Sequence, residues 1–90
     1  MLHRLITENR NERGIEAILS SLNLDYTMFK AFGSWKGMIE ASLVIEMADA
    51  DVLLVREAAQ RIGEMNNQDT VLIQTLEASN YFLKVESKSV

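Results

Sequence analysis

The sequence predicts an α+β domain in which helices cover one face of an antiparallel sheet. Three observations carry this. Two alternating apolar runs flank the turn Phe32-Gly33-Ser34-Trp35-Lys36-Gly37-Met38, as in a hairpin. Apolar residues at helical spacing stand on both sides of that hairpin, at 15–22 and 52–65. Strand-like runs lie near the two ends, at 2–7 and 70–76.

The elements follow in order. Leu2, Arg4 and Ile6 alternate with His3, Leu5 and Thr7 in a first strand, which ends in Glu8-Asn9-Arg10-Asn11-Glu12. Asn9 or Asn11 caps a helix there, and Glu12, three residues after Asn9, is placed to complete a capping box. Ile15, Ile18, Leu19 and Leu22 fall at i, i+3, i+4 and i+7, one helical stripe, and Asn23-Leu24-Asp25 closes the helix. Residues 26–32 then form the first arm of the hairpin. In the second arm Ile39, Ala41, Leu43, Ile45 and Met47 make a dry face, while Glu40, Ser42 and Glu46, with Val44 as an apolar exception, make a mixed one. Gly33 and Gly37 bracket the loop and hold Trp35 and Lys36 at its tip. Trp35 has two readings: folded back to cover the sheet, or exposed beside Lys36, where stacking and charge suit a partner or a ring-shaped ligand.

After the hairpin, Asp49 and Asp51 supply caps for a second helix whose buried side is Val52, Val55, Ala59 and Ile62, widened by Leu54, Ala58 and Met65. Arg56, Glu57, Gln60, Arg61 and Glu64 form its solvated face. A loop, Asn66-Asn67-Gln68-Asp69, leads to the last strand, Thr70 to Leu76. Tyr81-Phe82-Leu83 is a short apolar run fit for an extra C-terminal edge strand or for docking on a neighbour. Residues 1–85 make a single domain and 86–90 a flexible tail. The order βαββαβ is that of a ferredoxin-like sandwich. Its second sheet face would carry Val44, Leu72, Leu76, Tyr81 and Phe82, too apolar for open water, so self-association is expected.

Composition narrows the function. A chain of 90 residues buries about 60% of the surface its unfolded form exposes. The 48% of apolar residues excludes a disordered chain. With no cysteine there are no disulfides, no thiolate metal sites and no cysteine nucleophile. The net charge of −4 and the scatter of the nine basic residues argue against nucleic acid as a partner. The sequence shows no apolar run of about 18 residues and no signal peptide, so no membrane partner and a cytoplasmic location are expected.

Thr7-Glu8-Asn9-Arg10-Asn11 before the first helix, the hairpin Trp35-Lys36-Gly37-Met38-Ile39-Glu40, the strand Ser42-Leu43-Val44-Ile45-Glu46 and Asn80-Tyr81-Phe82-Leu83 near the end resemble the PII-like superfamily, and within it CutA-type proteins. The resemblance spans roughly residues 3 to 84. It implies a trimer whose sheets wall a central barrel, with small ligands in clefts between subunits. Two departures limit it. The hairpin loop is too short for the long regulatory loop of PII signalling proteins, and Met65 to Asp69 lacks the glycine and basic residues that cradle nucleotide phosphates, so ATP binding in the PII manner is not implied. One histidine and no cysteine are poor material for the copper site that a link to divalent-cation tolerance suggests.

No catalytic constellation emerges. His3 is the only side chain whose ordinary titration lies near neutral pH, and no Gly-x-Ser-x-Gly elbow surrounds any serine. Glu40 and Glu46 stand six residues apart on one face, too far to share a proton, and suit ion pairs with Lys30 and Arg4. No cofactor is called for. The best anion site on physical grounds is the start of the first helix, Asn9, Arg10 and Asn11, where free N–H groups and the helix dipole favour phosphate. Lys30, Trp35 and Lys36 of the same or a neighbouring subunit complete the set. The expectation is a non-enzymatic homo-oligomer, a trimer by resemblance, holding a small anionic, nucleotide-like ligand at subunit interfaces. The alternative is a small phage or mobile-element protein that inhibits a host protein by direct binding.

Overall fold

In a computed structural model, residues 1–79 and 82–85 are described, with Trp35 described by its backbone alone. The chain runs β1 (Leu2–Glu8), α1 (Glu12–Ser21), β2 (Thr27–Trp35), β3 (Met38–Ala48), α2 (Val52–Met65) and β4 (Leu72–Leu76). The four strands form one antiparallel sheet in the order β2-β3-β1-β4. This is the α+β, ferredoxin-like architecture that the pattern predicts.

Register assigns the faces, because directly paired residues point to the same side of a sheet. Leu5 pairs with Ile45 and Ile73, and Ile45 with Met28. These belong to the side on which Ile15 and Leu19 of α1 and Val55, Ala58, Ala59 and Ile62 of α2 pack with Leu43 and Met47 into one core. Each fully buried Val, Leu, Ile or Met side chain among them contributes about 1.5–3 kcal/mol relative to an exposed one, and the alanines less. The opposite face, free of helices, holds Arg4, Ile6, Phe29, Val44, Glu46, Leu72 and Leu76. Arg4 bonds Glu46 there through Nε and Nη2, at 2.9 and 2.7 Å, the ion pair the sequence suggests.

The helices begin where side chains accept orphan N–H groups. Asn11 Oδ1 accepts from Gly14 N, and Asp51 Oδ1 accepts from Leu53 N. The cap of α1 is therefore Asn11 rather than Asn9. A capping box between Asn9 and Glu12 does not form, because Glu12 is already the first residue of the helix.

Other expectations are corrected by how far each layer reaches. The hairpin loop is two residues, not the seven of Phe32–Met38: Lys36 (φ 50°) and Gly37 (φ 77°) make a tight turn, and Gly33 pairs with Glu40 inside the ladder. The primed turn matches strand twist, so both arms extend to the tip. β1 stops at the pair Glu8–Ser42, while β2 and β3 run on for four more pairs, from Phe32–Ala41 to Trp35–Met38. This overhang is about 13 Å long at ~3.3 Å per residue. It passes beyond the core, so Ile39 and Ala41 are exposed although they share the core parity. Val44, expected to be covered by another copy, is already buried within the one chain between Ile6 and Phe29, its partners on either side. Val52, Leu54 and Met65 of α2 are exposed, because the buried stripe narrows to Val55, Ala58, Ala59, Ile62 and Gly63. β4 starts at Leu72 rather than Thr70. Phe82 and Leu83 belong to no strand, and Tyr81 and residues 86–90 lie outside the described residues.

Candidate functional site

The start of α1 is built on a sharp change of direction. Asn9 N donates to Ala41 O at 3.3 Å, holding the end of β1 to β3, and Arg10 N donates back to Glu8 O at 2.8 Å. Asn11 then takes a left-handed conformation (φ 50°, ψ 61°), which asparagine tolerates better than most residues. Its Nδ2 points at Met65 Sδ, 3.4 Å away. Arg10 reaches in two directions: Nε lies 2.7 Å from Glu8 Oε2, and Nη1 donates to Asn66 O at 2.9 Å. The guanidinium thus tacks the β1–α1 turn onto the end of α2 while remaining more than half exposed.

Lys30 joins this cluster from β2, with Nζ 3.4 Å from Glu12 Oε1. The expected pairing of Lys30 with Glu40 is not the one formed: Lys30 shares its face with Leu43, whereas Glu40 points to the other side. Asn9, Arg10, Asn11 and Lys30 therefore stand around one helix start. Trp35 and Lys36 do not join them in the same chain. Trp35 lies five residues beyond Lys30, about 17 Å along the strand.

A second polar cluster escaped the sequence reading. Thr7 Oγ1 donates to Gln68 Oε1 at 2.6 Å, Asn66 Nδ2 donates to the same oxygen at 3.3 Å and to Arg10 O at 3.4 Å, and Gln68 Nε2 donates to Thr70 O at 3.2 Å. Thr7 and Asn66 are both buried. The signal was present: Thr7 occupies the core parity of β1, where a hydroxyl needs a partner. The α2–β4 loop supplies it, and a hollow of about 510 Å³ opens beside that loop, bordered by Glu8, Glu40, Ser42, Gln68, Thr70 and Leu72. Its two carboxylates, Glu8 and Glu40, disfavour an anion within the hollow, and the cations nearest the α1 start, Arg10 and Lys30, are paired with Glu8 and Glu12.

His3 is buried on the helix side, with Nδ1 3.0 Å from Thr75 Oγ1, where it ties edge strand β4 to β1. Among the described residues no group of three or more His, Asp or Glu side chains is placed to hold a metal ion, and no buried side-chain polar atom lacks a partner. No helix among them is long and apolar enough to cross a membrane.

No family model matches the chain, and no curated protein matches it by sequence. Solved structures do match. The chain is similar to the PII-like protein CutA from Nostoc sp. PCC 7120 in apo form, with 18% identity and a TM-score of 0.57 over 88% of this chain and 81% of that one. It is also similar to CutA1 from Pyrococcus horikoshii, with 17% identity and a TM-score of 0.52 over 89% of this chain and 87% of that one. At such identities the likeness is one of fold, and the fold is CutA-like and PII-like, as the residues of the first strand, hairpin and third strand had suggested.

Proposed function

We propose that the chain is a non-enzymatic binding module that works as a homo-oligomer, a trimer by analogy with its fold, and holds a small anionic, nucleotide-like ligand where copies meet. One observation carries the self-association: apolar side chains stand bare on the helix-free face and on the hairpin overhang. Phe29, Leu72 and Leu76 are exposed on the former, and Phe32, Met38 and Ile39 on the latter, Phe32 at 81% and Ile39 at 79%. Exposed apolar side chains in such number mark an interaction site, and a two-stranded ribbon alone is marginal in water.

The ligand site follows from the split between its two halves. Asn9, Arg10, Asn11 and Lys30 gather at the α1 start, and Trp35 and Lys36 ride on the far end of the overhang. In the proposed assembly the tip of one copy approaches the α1 start of another, so that two basic segments and an aromatic residue face one anion. A ligand phosphate would compete with Glu8 and Glu12 for Arg10 and Lys30, which keeps the empty site neutralised.

Static light scattering at micromolar concentration is expected to give about three times the 10.2 kDa chain mass. Calorimetry against a panel of nucleotides is expected to show binding that Arg10→Ala and Lys36→Glu both weaken. A 10.2 kDa particle would overturn the assembly, and silence across the panel with the oligomer intact would overturn the ligand. A monomer would instead recast the overhang as an epitope for a foreign protein, the host-inhibitor reading, which pull-down with Lys36→Glu and the parent then tests.

A further inference from the structure

β4 is an edge strand: in the sheet it pairs with β1, and all five of its residues are exposed. Its outer main chain offers N–H and C=O groups that another strand can pair with. Between this edge and the C-terminal half of α2 runs a groove of about 620 Å³. Apolar Ala59, Val71 and Ile73 line it, together with charged Arg56, Glu64 and Asp69. Among the described residues the side chains of Arg56 and Asp69 have no hydrogen-bond or ion-pair partner. An edge with a groove behind it, mixed in lining and charged along it, is the form that accepts an added strand: main-chain bonds give affinity, and alternate side chains enter the groove.

The chain itself carries the matching segment. Phe82, Leu83 and Val85 are exposed, Phe82 at 104%, as bare as in an isolated peptide, and Lys84 is the segment's only charge. As alternate residues of a strand, Phe82 and Lys84 enter the groove together, the ring against Ala59, Val71 and Ile73 and the ammonium toward the carboxylates of Glu64 and Asp69, while Leu83 and Val85 stand on the other side. The segment is not seated on its own β4, although residues 77–81 are long enough for a hairpin loop. We propose that the β4–α2 groove seats residues 82–85 of a second copy, which add as a strand to the open edge of β4. The inference rests on the oligomer reading and names one of its contacts.

The absence of cysteine makes the test direct. Two full-length single-cysteine proteins, Leu83→Cys and Gln60→Cys, the latter on the α2 side of the groove, are mixed and treated with a short bifunctional maleimide. A covalent pair of twice the chain mass is expected. It should form on the order of a hundredfold faster than between Leu83→Cys and the α1 surface variant Glu16→Cys, since a seated segment sees millimolar rather than micromolar partner concentration. Equal rates for the two mixtures, in a protein that light scattering shows to be oligomeric, would overturn this contact and leave the oligomer standing. Cross-linking confined within one chain of the Leu83→Cys/Gln60→Cys double variant would overturn it as well. A parent protein of monomeric mass would overturn the oligomer reading and this contact with it.

Discussion

Two helical glycines give opposite answers to one substitution. Gly63→Ala places a Cβ 3.5 Å from Val71 Cγ2 and 3.8 Å from Gln68 O, ordinary contact distances. Nothing must move, and alanine is favoured over glycine inside a helix by about 0.5–1 kcal/mol. Since Gly63 lies in the last turn of α2, the lower half of that range is expected as a gain. Gly14→Ala puts the same atom 2.5 Å from both Asn11 Nδ2 and Met65 Sδ and 2.8 Å from Asn11 Cγ. Met65 can swing away, since its side chain is flexible and exposed. Asn11 cannot move without giving up the bond its Oδ1 accepts from Gly14 N, a cap worth about 1 kcal/mol. Moving Asn11 also disturbs a left-handed backbone position that the turn depends on. Cap loss and displaced packing outweigh the propensity gain, so Gly14→Ala is expected to destabilise by about 0.5–1 kcal/mol. Urea unfolding at one fixed protein concentration separates the two, because stability of an oligomer varies with concentration. For a domain of this size each 1 kcal/mol moves Tm by about 4–8 °C. A Gly14→Ala protein as stable as Gly63→Ala would refute the reasoning, since it would mean that the cap contributes nothing.

Further outcomes follow from the same contacts. Asn11→Ala should cost about 1 kcal/mol in urea unfolding, more than Asn9→Ala, because Asn11 is the cap and also holds the left-handed position. Thr7→Val removes the hydroxyl that Gln68 Oε1 accepts from and should cost about 1 kcal/mol, with faster amide exchange in residues 66–70 as the local sign. A double-mutant cycle on Arg4→Ala and Glu46→Ala should return a coupling of about 0.5–1 kcal/mol, given side chains only 31% and 25% exposed, and zero coupling would class the pair as ornamental. Phe29→Glu and Leu72→Glu, both on the helix-free face, should lower the light-scattering mass without lowering helix content in circular dichroism; an unchanged mass in both would remove that face from the interface.

The likeness to CutA-type structures has a physical content that identity near 18% conceals. What such a likeness reports is the layering that this chain builds from alternating strands and two amphipathic helices. That layering is met by many sequences. The residues that would recognise a ligand are under no such requirement, and the turn at Asn9–Asn11 and the tip at Lys36–Gly37 must be judged by their own chemistry.

The sequence by itself determined the order of elements, the two faces of β1 and β3, and the centre of each helix stripe, Ile15 and Leu19 in α1 and Val55, Ala58, Ala59 and Ile62 in α2. These are local properties: period two and period 3.6 decide which side chains share a face, whatever lies beyond. It also located the α1 start, since polar residues between a strand and an apolar helical stripe leave few other roles. Only the tertiary structure decided where each layer ends. Ile39 and Leu43 have the same parity and similar hydrophobicity, yet one is bare and the other buried, because the helices cover Leu43 and stop short of Ile39. Arg10 read as charge available to an anion at the α1 start; beside its local pair with Glu8, the fold carries to it the carbonyl of Asn66, 56 residues away. Periodicity fixes direction within an element; burial and pairing depend on which distant atoms arrive opposite, and that is settled by packing.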